Sequence, residues 1–442
     1  MIRISLVVLS LASGIIYARW LGPEGVGILA LLVLAKSFAF RYGNLGFGSS
    51  FAYFVAAKKI SAQQIRRMVW LTSVVVSLFS VMVLLAVWRC DFSPWRDIQT
   101  ELFYLSLLSV FLQFFINFHQ RVLSGELRIS AMNVANIIST VSRILYLVIL
   151  VVVFKLGILG AISSVVLSDL TTFIYQILLS TKGNANIIEI AENDKTGKPN
   201  GTGALVASLW RYGRWNYLAM FSAFFIEELP LILLKTFSAN NVAVGLFTKA
   251  RGLGRQSRIV AEPVAQVLFP FTAASEKELA TKRTNILCRN SLMIMALVVS
   301  LMALFIKPII VFLYGEEFLP SADIFYVLVP GIAFWPLGRF LGTHVVGSGK
   351  SKVMLFMSLI TLAVTIPVCW YLIPRYGAIG AGLSVSAIYM VRVLLGLLVY
   401  KRIIGTPISE VLVPRRTDWV YYERLQKMVR DKWFKKWRAA ES

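Results

Sequence analysis

The chain is a succession of long apolar runs separated by short polar clusters. Runs such as 71–88, 291–306 and 353–373 approach or exceed the roughly 20 residues that a helix needs to cross about 30 Å of hydrocarbon. They are apolar at almost every position rather than at alternate positions, which favours helices over membrane strands. Cutting the chain at its polar clusters predicts twelve membrane helices, at 2–19, 26–57, 68–89, 100–120, 131–154, 157–180, 209–236, 242–274, 285–314, 320–346, 352–373 and 377–402.

Composition supports an all-α polytopic membrane protein. Of the 442 residues 57% are hydrophobic and only 15% are charged, which excludes an ordinary soluble domain. The net charge of +23 would suggest nucleic acid in a soluble protein, but here it indicates cytoplasmic loops beside anionic lipid. Fifteen Lys and Arg lie at the connections that follow even-numbered helices, against seven at the others. The positive-inside rule therefore predicts a multi-pass protein of the cytoplasmic (inner) membrane with both termini in the cytoplasm.

The two halves of the sequence resemble each other. Aligning Gly27 with Gly245 gives an offset of 218, and aligning Gly157 with Gly377 gives 220. An even number of crossings returns the chain to the same side, so the repeat predicts two six-helix bundles in one orientation, a pattern typical of transporters. The predicted domains are a first bundle, a cytoplasmic linker, a second bundle and a basic amphipathic cytoplasmic tail, at 1–180, 181–208, 209–402 and 403–442.

Five motifs in order resemble a known family. They are ARWLGPEGVGILAL, YGNLGFGSSFAYF and the segments 246–278, 312–352 and 372–384. Together they resemble the Wzx-type polysaccharide flippases of the multidrug/oligosaccharidyl-lipid/polysaccharide (MOP) exporter superfamily. The resemblance implies a V-shaped, MATE-like protein of about twelve helices. It also implies a lipid-linked oligosaccharide substrate, carried on undecaprenyl diphosphate and moved to the outer leaflet.

Charges inside the membrane are the candidate functional residues, because each is costly unless it faces a cavity or a partner. At about 100° per residue, Arg251, Arg255, Arg258 and Glu262 share one helical face, and Lys249 points the other way. Arginine suits diphosphate because its fork binds oxygens bidentately, so this stripe is a predicted wall of the substrate path. The alternative is a ladder of cations paired with Glu262 and other acids.

Further charges complete the predicted site. The resemblance nominates Arg19 and Arg41 beside Arg251 for diphosphate binding, and Lys36 lies in the same helix as Arg41. Asp169, Glu227 and Glu228 are acids that could couple transport to a proton or sodium ion, or simply neutralise arginines. Breaks at Gly43, Gly46 and Gly48 in the second helix, and at Pro263 and Pro270 in the eighth, indicate a gate or binding region, unless they are ordinary kinks.

The sequence contains no phosphate-binding glycine loop, catalytic triad spacing or metal cluster, so we expect neither an enzyme nor a cofactor or metal site. His119 and His344 are better explained by packing than by a metal pair or a pH sensor. The predicted function is a flippase that exports surface polysaccharide by alternating access through a cationic cavity. Alternatives are a drug/cation antiporter of the same superfamily and a non-transporting scaffold. Predicted partners are the lipid-linked oligosaccharide, membrane lipids and other polysaccharide-assembly proteins, without nucleic acid.

Overall fold

The computed structural model describes residues 2–57, 62–90, 93–182, 202–238, 240–259, 261–262, 264–266, 268, 272, 276–348 and 350–415. Within these ranges the regular structure is helical throughout, with no strand. Eight of the described helices are long and apolar enough to cross a membrane, judged by length and composition. The predicted all-α, multi-pass architecture is therefore confirmed.

The first half begins with a long helix bent at a glycine. Helix α1 runs from Ile2 to Gly43, and its backbone leaves helical geometry at Gly22, where φ is 65°, immediately before Pro23. A left-handed backbone followed by a residue without an N–H group ends one helix and begins another. The next helices are α2 (Phe47–Ala56), α3 (Ala62–Trp88), α4 (Thr100–Gly125), α5 (Ile129–Leu147), which continues as a π-helix over Val148–Val153, and α6 (Gly157–Lys182).

The second half contains α7 to α13. These helices are α7 (Thr202–Phe237), α8 (Asn241–Gln256), α9 (Lys277–Leu304), α10 (Ile306–Tyr314), α11 (Ser321–Gly347), α12 (Ser351–Ile404) and α13 (Ile408–Leu412). Helix α12 is bent at Gly377, where φ is 54°. Gly377 is the position aligned with Gly157, which also has φ 54°, so this feature repeats in both halves.

The eight apolar helices are compatible with the twelve predicted segments. The span Lys352–Ile404 contains two predicted segments joined at a kinked glycine, and Val8–Gly43 covers most of the segment 2–19 and the first part of 26–57. Helix α7 carries five charged residues and α8 has only 16 residues, so neither is among the eight. Each of the twelve predicted segments overlaps a described helix.

The predicted interruptions have different outcomes. Helix α1 ends at Gly43 and α2 begins after Gly46, whose φ is 87°, so this break is confirmed. Gly48 lies inside α2, where its N–H donates to the side chain of Asn44, and it does not interrupt the helix. Pro263 and Pro270 lie outside the described residues.

The linker and the tail are only partly described. Helix α6 extends to Lys182 and α7 begins at Thr202, so residues 202–208 of the predicted linker are helical. Most of the linker, residues 183–201, and most of the tail, residues 416–442, lie outside the described residues.

The chain divides into two compact units. The first contains Met1–Gly252, Ile306–Val327 and Leu362–Val385, which is the predicted first half with parts of the second. Its core includes Leu31, Trp95 and Phe103, which are almost fully buried. The second contains Leu253–Phe305, Leu328–Thr361 and Ser386–Ser442, with a core in which α9, α11 and α12 contribute Cys288, Phe340 and Tyr400. The two predicted six-helix halves remain a prediction.

Candidate functional site

In the first unit, α1 and α8 contact each other at Gly27 and Gly245, the two glycines that the sequence repeat aligns. A Cβ atom on Gly27 of α1 would lie 2.0 Å from the carbonyl oxygen of Asn241, and one on Gly245 of α8 would lie 1.9 Å from that of Pro23. Adding 218 to 23 gives 241, so the two contacts join equivalent positions of the repeat. Only glycine permits so close an approach of two backbones. The contact therefore fixes where the part of α1 just after its bend crosses the N-terminal end of α8.

Lys36 forms a buried ion pair in the first half. Its Nζ contacts Oδ2 of Asp169 on α6, and the two side chains are only 12% and 6% exposed. Arg143 of α5 lies beside the pair, with its Nε 3.5 Å from the hydroxyl of Ser168. Two cations and one acid thus converge between α1, α5 and α6. The predicted site residues Lys36 and Asp169 are brought together.

Arg251 is held by the two consecutive glutamates of α7. Its Nη2 donates to Oε2 of Glu228 at 2.7 Å, and its Nη1 donates to the backbone carbonyl of Glu227 at 2.9 Å. The guanidinium also lies 5.6 Å from the ring centre of Phe247. Burial in an apolar environment makes such a pair strongly dependent on both partners. Glu228 therefore balances the charge of Arg251, which is one of the two roles predicted for it.

Lys249 lies on the opposite face of α8 from Arg251, as its helical position predicts, but that face is also buried. Its Nζ donates to the carbonyl oxygen of Gly14 at 2.6 Å and lies 4.8 Å from the ring centre of Tyr314. Among the described residues, no carboxylate lies within ion-pair distance of Lys249. Its charge is therefore compensated only by a backbone dipole and an aromatic face.

Arg19 lies at the bend of α1, apart from the other predicted cations. It donates to the carbonyl oxygens of Phe312 and Leu313, the latter from Nε at 3.2 Å. These carbonyls belong to the last turn of α10, where helix acceptors lack partners within the helix. Arg19 thus caps α10, and Lys36 lies about 20 Å along the helix beyond the bend.

Arg41 is half-buried in the last turn of α1. In the described parts of the chain it has neither a hydrogen bond nor an ion pair. The next residue, Tyr42, accepts a hydrogen bond on its carbonyl from the hydroxyl of Tyr217 at 3.0 Å, so α7 packs against this end of α1. Arg41 therefore lies near the place where α7 packs against α1.

The predicted stripe does not continue as one α-helical face. Helix α8 ends at Gln256 and is followed by a 3₁₀ turn over Ser257–Ile259, which changes the angle between successive residues from about 100° to about 120°. Arg255 is exposed in the last α-helical turn. The assumption of continuous α-helical geometry from Lys249 to Glu262 was wrong, because the helix tightens at Ser257.

In the second unit, Arg258 and Glu262 have separate partners. The Arg258 guanidinium lies 4.6 Å from the ring centre of Trp335 and 5.2 Å from that of Tyr389, and it donates to the Tyr389 hydroxyl. Glu262 forms a half-exposed ion pair with Arg339 at 3.4 Å. Arg258 is therefore held by aromatic side chains, and Glu262 neutralises a residue of α11.

The two histidines pack among other side chains. His344 Nδ1 lies 2.8 Å from the Thr284 hydroxyl, and its ring contacts Tyr400. His119 stacks on Phe115. No group of three His, Cys, Asp or Glu that could hold a metal ion occurs in the described part of the chain.

The decisive comparison is with protein-family models. One described as "Polysaccharide biosynthesis protein" matches residues 4–276, which is more than half of the chain. The chain belongs to this polysaccharide biosynthesis protein family. A curated relative, the capsular polysaccharide biosynthesis protein CapF of Staphylococcus aureus, is 25% identical over 206 residues. That match covers 42% of this chain and 52% of CapF, so it spans about half the length of the relative.

Solved structures show the fold of this family member. An inward-facing multidrug resistance MATE transporter of the MOP superfamily superposes with a TM-score of 0.73 at 17% identity, covering 90% of this chain and 94% of the other. The lipid II flippase MurJ, in an inward closed conformation, gives 0.66 at 14% identity, covering 93% and 88%. A MOP superfamily transporter of Pyrococcus furiosus gives 0.62 at 18% identity, covering 92% and 93%.

These comparisons confirm two sequence predictions. The family resemblance is confirmed at the level of a polysaccharide biosynthesis protein family, and the all-α fold is confirmed as that of two-bundle MATE structures. The solved structures with this fold are described as a multidrug resistance transporter and a lipid II flippase.

Sequence reasoning missed several residues of this family member. Lys249 was set aside because it points away from Arg251, although a cation in the middle of a membrane helix is itself a signal. Lys235 forms a pair with Asp97 at 2.9 Å and is almost fully buried, but Asp97 lies in a distant connection. The aromatic partners of Arg258 carry no charge, so no charge pattern could have found them.

Proposed function

We propose that this protein is a flippase that translocates polyprenyl-diphosphate-linked oligosaccharide units across the cytoplasmic membrane for surface polysaccharide export. The observation that carries the proposal is an excess of cations on the two repeat-related helices. Helix α8 has Lys249, Arg251 and Arg255 without an acid, and α1 beyond its bend has Lys36 and Arg41 with one acid at the bend, Glu24. Such charges are costly in a membrane, so an anionic substrate explains their retention.

The cations differ in whether a carboxylate already binds them. Among the described residues Arg41 has no ion pair and Lys249 has no carboxylate partner, so a diphosphate entering between helices would meet cations that no carboxylate already binds. Lys36 and Arg251 are already paired and would bind substrate only by sharing or exchanging an acid. Arg255 and Arg258 belong to the second unit and are separate candidates for contact with the substrate.

The glycine crossing supports alternating access as the mechanism. Gly27 and Gly245 allow α1 and α8 to pack closely against each other. This contact lies near the predicted extracytoplasmic side. Opening a path to that side would require the two helices to separate there. The orientation, with both termini in the cytoplasm, rests on the excess of Lys and Arg at the opposite connections.

A drug/cation antiporter is less well supported. A cationic drug would need acidic side chains in the path, yet Asp169 and Glu228 are each paired with a buried cation. The same pairing favours charge balance over proton or sodium coupling for these acids. Glu227 contributes its backbone carbonyl to Arg251. Ion coupling by its carboxylate stays a prediction.

The proposal is tested by a flipping assay in liposomes with a polyprenyl-diphosphate-linked oligosaccharide. Arg251→Gln alone would leave Glu228 buried without its cation, so a loss of activity could reflect misfolding. The double variant Arg251→Gln/Glu228→Gln removes both charges. We expect it to remain folded and to lose at least about 90% of the flipping rate, because removing a charge-assisted bidentate contact costs more than about 1.4 kcal/mol.

A matched control is Lys235→Gln/Asp97→Asn, which removes another ion pair of α7. This control is expected to flip at the wild-type rate. If the Arg251/Glu228 double variant also flips normally, Arg251 has only a structural role. If wild-type protein flips no faster than empty liposomes, the proposed function is wrong.

A further inference from the structure

A basic pocket lies in the second unit. It is formed by the start of α9, the end of α12 and α13, and its volume is about 540 Å³. Its lining contains four cations, at Lys277, Lys282, Arg289 and Arg415, and two carboxylates, at Glu278 and Glu410. The excess of two positive charges makes the pocket suited to an anion.

The pocket has an exposed rim and a buried floor. Lys277, Lys282 and Arg415 are exposed at the rim, whereas Asn285 and Arg289 are almost fully buried below them. Arg289 donates to the backbone carbonyl of Glu410, and the hydroxyl of Tyr400 donates to the side-chain carbonyl of Asn285 at 3.0 Å. These contacts hold the floor in place, so the pocket does not depend on mobile surface side chains alone.

Glu410 is the acid that faces this floor, but its carboxylate is held loosely. Arg415 approaches it at 3.4 Å and the Asn285 amide at 3.4 Å, both beyond the usual range of charge-assisted hydrogen bonds. An oxyanion with more oxygen atoms could therefore compete with the Glu410 carboxylate for Arg415, because the contact between these two side chains is long.

The sequence of α9 predicts that the pocket lies near the boundary between hydrocarbon and water. Along α9 the polar run that lines it ends at Asn290, and a continuous apolar run begins at Ser291. Ile286 lines the pocket, and Leu297, eleven residues further and about 20° around the helix, is 63% exposed. An exposed apolar surface therefore continues from the pocket into the membrane.

We propose that this basic pocket binds the phosphate group of an anionic phospholipid, whose acyl chains lie along the exposed apolar face of α9. A phosphate ester offers the oxygens that the lysines and guanidiniums can bind, and the adjoining apolar face accounts for a lipid rather than a free ion. The orientation predicted from the charge distribution assigns this lipid to the cytoplasmic leaflet. Such a site would hold lipid at the edge of the second unit independently of transport.

The test measures thermal stability of the purified full-length protein in neutral detergent. Short-chain phosphatidylglycerol, phosphatidylcholine with the same acyl chains, and sodium pyrophosphate are each added to the protein in separate titrations. Pyrophosphate serves as the soluble phosphate anion. We expect phosphatidylglycerol alone to raise the melting temperature to a plateau. In Lys277→Gln/Lys282→Gln the half-saturating concentration should rise about tenfold, because each surface lysine contributes substantially to binding an anionic lipid.

The charge-matched control is Lys350→Gln/Lys352→Gln, which removes two exposed lysines of the same unit outside the pocket. It should retain the wild-type response. An equal response to phosphatidylcholine, or an unchanged response in the Lys277/Lys282 variant, would refute the site. Saturation by pyrophosphate at concentrations where phosphatidylglycerol has no effect would refute the lipid and assign a soluble phosphate instead.

Discussion

At the scale of single residues, Lys249 and Arg251 lie two positions apart in α8, yet their charges are compensated in different ways. Arg251 has the carboxylate of Glu228, whereas Lys249 has a backbone carbonyl and the face of Tyr314. A buried cation without an acid is a cost to folding, and such costs persist where a residue is needed for function. The two residues should therefore respond in opposite directions to loss of charge.

We expect Lys249→Met to melt at a temperature no lower than that of the wild-type protein, because methionine fills a similar volume without a charge to bury. Arg251→Met should lower the stability by up to about 3–5 kcal/mol, since it leaves the largely buried carboxylate of Glu228 without this guanidinium. Thermal unfolding of the purified variants in detergent measures both.

The flipping assay then separates function from folding for Lys249. A stable Lys249→Met protein with impaired flipping supports a role for this charge in transport. If Lys249→Met destabilises the protein as much as Arg251→Met does, the lysine is a structural residue and its contact with Gly14 is essential to packing.

The charges at membrane depth could be predicted from the sequence, but their partners could not. Lys36 and Asp169 are separated by 133 positions, and only the fold brings α1 and α6 together. Arg258 is bound by aromatic rings, which the sequence offers in large numbers without indicating which ones it contacts. Helical angles placed Lys249 correctly, but angles alone do not tell whether a face meets lipid or another helix.

At the scale of helices, the crossing of α1 and α8 depends on two glycines with equivalent places in the repeat. Gly27→Ala and Gly245→Ala should each destabilise the protein by about 1–3 kcal/mol, because a methyl group would overlap a backbone carbonyl of the other helix. The double variant should cost less than the sum, since the first methyl already separates the helices. The melting temperatures of the three variants give the comparison.

Gly252 provides a control within the same helix. A Cβ atom there would meet no atom within 4 Å, so Gly252→Ala should be neutral or stabilising by up to about 1 kcal/mol through helix propensity. If all three alanine variants behave alike, the crossing does not limit stability. If only Gly27→Ala and Gly245→Ala lose stability, the close approach is responsible.

Breaks in helices differ in how much sequence reveals them. The first break combines the backbone freedom of Gly22 with the missing N–H group of Pro23. The second lies in a turn that contains Gly43 and Gly46. Both positions can be predicted from the residue types. The 3₁₀ turn at Ser257–Ile259 contains no such residue, and its geometry depends on packing within the fold. That is why the stripe from Arg251 to Glu262 was predicted as continuous.

At the scale of the whole molecule, the distribution of basic residues predicts the orientation in the membrane. The connections predicted to be cytoplasmic carry fifteen Lys and Arg against seven on the other side. The chain's own cysteines can test this orientation. Cys90 is exposed in the connection between α3 and α4, which the prediction assigns to the outside, whereas Cys288 and Cys369 are buried.

A membrane-impermeant maleimide should therefore label the unmodified protein in intact spheroplasts, and Cys90→Ser should abolish that labelling. In the Cys90→Ser background, Lys350→Cys places a thiol at an exposed position predicted to be cytoplasmic, so it should react only after the membrane is permeabilised. Buried thiols react slowly on either side, so the signal reports Cys90 and the introduced cysteine alone. The opposite orientation would follow from two results together. Lys350→Cys in the Cys90→Ser background would react in intact spheroplasts, and Cys90 of the unmodified protein would react only after permeabilisation. The basic pocket and the proposed lipid site would then face the outer leaflet, and the Gly27–Gly245 crossing would close the path on the cytoplasmic side.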